Sequence, residues 1–278
     1  MTARNETTGD LVRAERVDPG LLAVEAALRD LLVPAPPRLA PRTLVAVGLA
    51  DAYASIESPA GPLFVAWNGL GVSGVGLAGE ADDFAHEHSA RTGRPLNRED
   101  GLPERLERAI RARIAGDRRV RIRLDLRGRN EFERAVWMKA LEIPPGEVRP
   151  YGWIASEIGR PRAVRAVGTA LGHNPVPVVV PCHRVVRSDG TLGQYSLGGP
   201  DVKRRILSAE GVDLDRLQSY ARAGIRLIGS DTTHIFCLPT RHHARRVTPA
   251  HLIGLHSQRE ALAAGFRPCR VCRPASAA

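Results

Sequence analysis

The sequence predicts an α+β protein: a small N-terminal antiparallel sheet with helices, a helical domain with a helix-turn-helix, and a small cysteine-bearing C-terminal module. Three observations predict it. Between Thr43 and Leu77 the short runs LVAVGLA, YASIES, PLFVAWN and GVSGVGL are separated by Gly, Pro and Asn, as strands are by turns. From Asn130 the apolar spacing becomes helical. The last third gathers basic charge around Cys269-x-x-Cys272. The parts are an arm and Pro-rich linker at 1–44, a structural domain at 45–128, a helical domain at 129–213 and a module at 220–274.

Taken in order, Leu21 to Leu32 reads as an amphipathic helix, followed by PAPPRLAPR as a linker or irregular arm. After the strand-like runs, helices are expected near Asp82–Arg91 and Pro103–Ala115, then a strand at Val120–Leu126. Asp51, Glu57 and Asp82 read as scattered surface carboxylates rather than ligands, and this part is assigned a structural role. In the next part Asn130 is a candidate N-cap, and Pro144-Pro145-Gly146 ends the helix that follows. YGWIASEI, Tyr151–Ile158, is a short helix closed by Gly159, and Arg162–Leu171 is a second. Two short helices joined by a tight Gly-containing turn fit a helix-turn-helix. The second brings Arg162 and Arg165 together with small Ala163, Ala166 and Gly168, which lets its backbone approach DNA closely.

Bulk properties narrow the function classes. The chain has 278 residues, 43% of them hydrophobic, which excludes a disordered polymer. Its first residues, MTARNETTGD, carry no leader pattern, and no run approaches the roughly 18 apolar residues of a membrane span. Four cysteines suit reactive or metal-binding thiols in a reducing compartment, so a cytoplasmic protein with no membrane partner is expected. The net charge is +10, divided as +1 over residues 1–130, +2 over 131–214 and +7 over 215–278, and only Lys139 and Lys203 are lysines. A basic tail suits a polyanion, while a solvated Arg-rich surface is the plainer alternative.

The stretch PVVVPCHRVV puts Cys182-His183-Arg184 at the end of what reads as a buried strand terminated by Pro181. A thiolate is the nucleophilic form of cysteine, so Cys182 needs a base such as His183, and the imidazole needs a carboxylate to fix its tautomer. An inert core cysteine is the alternative.

From about Phe132 to Gly211 the chain resembles the catalytic domain of the O6-alkylguanine-DNA alkyltransferases. The matching pieces are FERAVWMKALEIPPGEV, YGWIASEIGRP, RAVGTALGHNP, VVVPCHRVV, DGTLGQYSLGG and KRRILSAEG. The resemblance implies that Cys182 accepts the alkyl group. His183 would deprotonate it through a water, with Glu210 completing the relay and Asn174 bracing the segment. Tyr151 would bear on the phosphate 3′ to the lesion, help rotate the nucleotide and offer a proton to the leaving guanine, and Arg165 would fill the gap left by the flipped base. A thioether is not restored by reductants, so the implied reaction is one stoichiometric turnover that needs no cofactor. The implied partner is double-stranded DNA containing alkylated guanine, acted on by a monomer.

Residues 224–274 resemble the zinc-binding phosphotriester-repair module of Ada proteins, through DTTHIFCLP and AAGFRPCRVC. The resemblance implies a structural zinc held by Cys237, Cys269 and Cys272, but Arg241 stands where the fourth thiolate is expected. A guanidinium cannot ligate zinc. Either His242 or His243 completes a Cys3His set, or the tail persists as a basic DNA-binding appendage; the half-site favours zinc. A neutral fourth ligand lowers thiolate charge, so efficient phosphotriester repair by Cys237 is not expected. His234, His251 and His256 are read as solvated. Two alternatives to the repair reading are a non-catalytic binder of alkylated DNA, which the cysteine at 182 opposes, and a methylation-responsive transcription regulator.

Overall fold

The computed structural model describes Val24 and residues 39–79, 81–242 and 244–274. Apart from Val24, which is helical, the helix expected over 21–32 lies outside the described residues. The chain divides into two compact units, residues 1–40 and 41–278.

The run expected to be linker and then strand is instead a helix, α1 (Leu39–Ala46). Pro41 falls in its first turn, where no backbone N–H is needed for intrahelical bonding, so the proline is tolerated. The next three runs are strands as expected, β1 (Asp51–Ile56), β2 (Leu63–Asn68) and β3 (Gly71–Leu77), paired antiparallel. Helix α2 (Ala81–Thr92) then returns the chain to β4 (Leu96–Arg98), which pairs parallel with β1 and gives the order β3-β2-β1-β4. The sheet is therefore mixed, because a helical crossover permits a parallel partner that a tight hairpin does not. A Cβ on Gly74 would lie 2.6 Å from His88 Nδ1, and one on Gly76 would lie 2.8 Å from Phe84 Cδ2, so these glycines let α2 lie close on the sheet.

Helix α3 (Glu104–Ile114) follows as expected, but Val120–Leu126 is not a strand. It makes a single parallel bridge, Val72 to Leu124, flanked by Val72 N–H to Arg123 O and Asp125 N–H to Val72 O. Its alternation is real, with Arg119, Arg121 and Arg123 exposed, yet Asp125 turns into a buried polar cluster and ends the run.

That cluster corrects the reading of Asp51. Glu57 and Asp82 are exposed, but Asp51 is completely buried. Its carboxylate meets His88 Nε2 at 2.7 Å, Arg94 Nε at 2.9 Å and Asn68 Nδ2 at 2.5 Å, and Asn68 also donates to Asp125 at 2.8 Å. Burial alone would raise both carboxyl pKa values. Hydrogen bonds and nearby arginines outweigh it, lowering Asp51 and bringing Asp125 down to about 2. Every carboxylate oxygen in the cluster is engaged, which is how buried charge is tolerated.

In the helical part, Asn130 caps α4 (Glu131–Ala140) by accepting from Glu133 N–H at 2.8 Å. Trp137 is fully buried and donates to Ala170 O at 2.7 Å, fixing α4 against the helix that carries Ala170. Strand β5 (Arg149–Pro150) leads into α5 (Tyr151–Glu157), and after Gly159 the second helix, α6, spans Val164–Gly172. It starts two residues later than expected, leaving Arg162 and Ala163 before its first turn.

The segment after α6 is buried as expected, but it is no strand. Pro175, Pro177 and Pro181 remove ladder donors, Val176 N–H bonds Asn174 Oδ1 and Val180 N–H bonds Val176 O, so the chain curls into a compact loop with Val178 at φ +71°. A single 3-10 turn, Cys182–Arg184, leads to β6 (Val185–Val186), which pairs parallel with β5. Helices α7 (Gly199–Ala209) and α8 (Leu214–Arg222) follow.

The last part forms a second small sheet from β7 (Leu227–Ser230), β8 (Ile235–Cys237), β9 (Leu252–Leu255) and β10 (Arg267–Pro268), in the order β10-β8-β7-β9, with α9 (Gln258–Ala263) before β10. One apolar core runs through all three parts, from Trp67 and Val75 through Trp137, Trp153 and Val180 to Phe236 and Cys272. No helix among the described residues is long and apolar enough to cross a membrane.

Candidate active site

Cys182 sits in the 3-10 turn below the proline-rich loop, 5% exposed. Asn174, the residue that shapes the loop, donates from Nδ2 to both Cys182 Sγ and Val180 O at 3.1 Å. Burial raises the thiol pKa, and the Asn174 bond and the Lys203 charge oppose that only in part. The resting sulfur is a thiol and needs a base.

The adjacent His183 is equally buried. Its Nε2 lies 3.0 Å from Glu210 Oε1, at the C-terminal end of α7. Glu210 is not paired with Lys203 or Arg204. It is clasped by Arg184, whose Nε lies 2.9 Å from Oε2 and whose Nη2 lies 2.6 Å from Oε1. Burial would raise the Glu210 pKa, but bonds from His183 and Arg184 bring it down to about 2. An ionised Glu210 accepts from Nε2–H, which leaves Nδ1 as the basic nitrogen, and Nδ1 has no hydrogen-bond partner among the described residues. Burial also lowers the imidazole pKa, so His183 is neutral at pH 7. The arrangement can take a proton from a buried thiol.

Two neighbours carried no assigned role in the sequence reading. Tyr195 packs edge-on to His183, and burial, then the Cys182 charge, push its phenol pKa well up. Lys203 is fully buried and donates to Val185 O at 2.6 Å and Leu192 O at 2.5 Å; burial brings its pKa down to about 8. The available signal was that Lys203 is one of only two lysines in an Arg-rich chain.

Tyr151 opens α5, half-buried, its phenol pKa raised by burial and then by Cys182. Gly168 of α6 faces its ring, so that a Cβ there would lie 3.9 Å from Tyr151 Cε1. Arg162 and Arg165 are exposed, and Ala163 is half-buried at the N-cap of α6. The structure thus gathers Cys182, His183, Glu210, Asn174 and Tyr151, and puts the arginines on the adjoining surface. A cleft of about 510 Å³ is lined by Arg187, Arg226 and Arg259 among others, and not by Cys182.

In the last part, the sulfurs of Cys237, Cys269 and Cys272 lie within 4.8 Å of one another and form a group of their own among the described residues. The interaction between the neighbouring Cys237 and Cys272 thiols raises the pKa of the first and lowers that of the second. Three converging soft donors fit a zinc ion. Arg241 turns away to Glu147, with Nη1 at 2.6 Å from Oε1. His242 is outside the sulfur group and its backbone N–H donates to Glu147; His243 lies outside the described residues. His234, His251 and His256 are exposed, as expected.

A buried thiol held by an amide and served by an imidazole–carboxylate pair defines a protein that works through a cysteine nucleophile. The family model for the DNA-binding domain of 6-O-methylguanine DNA methyltransferase matches residues 131–212, and that for the metal-binding domain of Ada matches residues 218–275. A methylated-DNA–protein-cysteine methyltransferase of Mycobacterium bovis is 38% identical over 57% of this chain and 91% of its own length. One from Methanosarcina acetivorans is 36% identical over 57% of this chain and 97% of its own. The crystal structure of Mycobacterium tuberculosis OGT in complex with DNA, 36% identical, covers 60% of this chain and 98% of its own, with a TM-score of 0.48. The chain belongs to the methylated-DNA–protein-cysteine methyltransferase family.

Proposed function

We propose that this protein repairs DNA by moving an alkyl group from O6 of guanine to Cys182, irreversibly and once per molecule. The observation that carries the reading is a buried Cys182 sulfur bonded by Asn174 and followed in the chain by His183, whose imidazole is bonded to a Glu210 clasped by Arg184. The His183 Nδ1 takes the thiol proton through a water, and Glu210 stabilises the imidazolium that results. The sulfur attacks the alkyl carbon, the S–C bond forms as the C–O6 bond breaks, and guanine leaves with a proton offered by Tyr151. Cys182 is almost covered, so the base has to leave the duplex to reach it. Tyr151 at the start of α5 and Arg165 on α6 are placed to rotate the nucleotide and fill its space, with Arg162, Ala163 and Gly168 letting the helix pair lie against double-stranded DNA as a helix-turn-helix.

In this reading residues 45–128 are structural, 129–213 catalytic and 220–274 a metal module, the whole acting as a cytoplasmic monomer. Zinc bound by Cys237, Cys269 and Cys272 would cross-link the module's loops, and the transfer itself uses no cofactor. The test is intact mass and peptide mapping after incubation with a duplex containing O6-methylguanine. One added methyl on Cys182, absent from Cys182→Ala, is expected. An unmodified protein that still binds the lesion would replace this reading with a non-catalytic lesion binder.

A further inference from the structure

The cysteine cluster holds α5 and the chain entering it from two sides. Trp153, in the first turn of α5, is 3% exposed and donates from Nε1 to Cys272 O at 2.9 Å. The next residue, Arg273, sits over the Trp153 ring at 5.9 Å and pairs with Glu157, the last residue of α5, at 2.5 Å. On the Cys237 side, Thr240 Oγ1 accepts from Val148 N–H at 2.9 Å, and Arg241 holds Glu147. Glu147 in turn takes Arg149 Nη2 at 2.5 Å, two residues before Tyr151, and the Arg149 guanidinium lies 5.6 Å from the Trp153 ring centre. Glu147, Arg149 and Cys272 are all buried. Arg241, at the position where the resemblance expects a ligand, is thus a tether between the module and the chain entering α5.

We propose that the Cys237–Cys269–Cys272 cluster is a brace for the DNA-reading helix pair, so that its occupation by zinc sets the affinity of α5 and α6 for duplex DNA. This rests on the reading of those helices under Proposed function. The coupling is mechanical. The loops bearing the sulfurs grip α5 at both ends, and a loop released from its metal loses the fixed carbonyl and guanidinium groups that Trp153 and Glu157 use. The Cys182 pocket, built on Asn174, His183 and Glu210, shares none of these contacts.

The test compares zinc-loaded and chelator-stripped full-length protein by amide hydrogen exchange over residues 147–158, by affinity for an undamaged duplex, and by alkylation of Cys182 from a free O6-alkylguanine base. Stripping is expected to speed exchange in that segment and to weaken duplex binding about tenfold, within the usual span of site-to-site coupling. Transfer from the free base is expected to fall less than duplex binding, because of the Cys182 site only Tyr151 lies in the loosened segment. Equal exchange and equal affinity in the two forms would overturn the brace. If stripping unfolds the module, Trp153→Phe decides instead, since it keeps the cysteines and an aromatic face for Arg149 and Arg273, and removes the bond to Cys272 O together with the outer part of the indole. Retained zinc with duplex affinity lowered about fivefold supports the brace, and unchanged affinity overturns it. Should the loaded protein alkylate from neither substrate, the repair reading fails while the exchange comparison still judges the brace.

Discussion

Glu210→Gln tests the proton-transfer geometry most directly. The substitution keeps the side-chain shape but removes the charge that His183 Nε2 and the Arg184 guanidinium share. The shift of the Glu210 pKa from 4.5 to about 2 in a side chain only 9% exposed corresponds to about 3 kcal/mol of native stability. Loss of that amount is expected in urea unfolding at pH 7, because Arg184 is left buried without a counter-charge. The rate should fall on the order of a hundredfold or more, since a neutral amide neither fixes the imidazole tautomer nor stabilises its cation. The assay is single-turnover methylation of Cys182, followed by intact mass at a temperature where the variant is folded. Arg184→Met separates the two effects: it should cost stability while Glu210 still orients His183. A Glu210→Gln rate within about threefold of the parent would refute the relay.

The pH profile gives a second expectation. Burial lowers the His183 pKa from its ordinary value, so the rate should hold through neutral pH and fall only in the acid range as the base becomes protonated, with native fold monitored by circular dichroism. Because the Glu210 pKa is depressed on folding, its stabilisation is fully present above about pH 4.5 and is lost as pH falls towards 2, which urea midpoints across that range would show. Asn174→Ala removes the bonds to Cys182 Sγ and Val180 O and should destabilise by about 1–3 kcal/mol while slowing the transfer; an unchanged rate would sink its bracing role. Asp51→Ala removes the carboxylate shared by His88, Arg94 and Asn68, leaving only Asp125 for the last two, and should cost about 3–5 kcal/mol in urea unfolding.

The candidate active site was legible chiefly through the resemblance, because its proposed members lie in short motifs that match the family. Cys182, His183 and Asn174 lie within ten residues of one another, and Glu210 ends the AEG stretch. Local signals also gave the N-cap at Asn130, β1 to β3 and the helices α5 and α6, since alternation, capping and glycine stops act over a few residues. Where the reading failed, distant contacts decided. Val176–Val180 has strand composition but is curled by the Asn174 side chain, and Val120–Leu126 has strand alternation but gains only one bridge. Asp51 looks like any surface carboxylate until His88, Asn68 and Arg94 converge on it from separate segments.

The sequence by itself supplied the candidate nucleophile and base, Cys182 and His183, through the resemblance carried by the motifs around them, since residue types alone left an inert core cysteine open. Only the tertiary structure decided what Arg241 does. Nothing local distinguishes a lost zinc ligand from a tether, since the difference is made by Glu147, 94 residues away in the chain and 2.6 Å away in space. The same holds for Trp153 and the Cys272 carbonyl, 119 residues apart. Pairings of that kind depend on the packing of whole elements, and no short-range pattern encodes them.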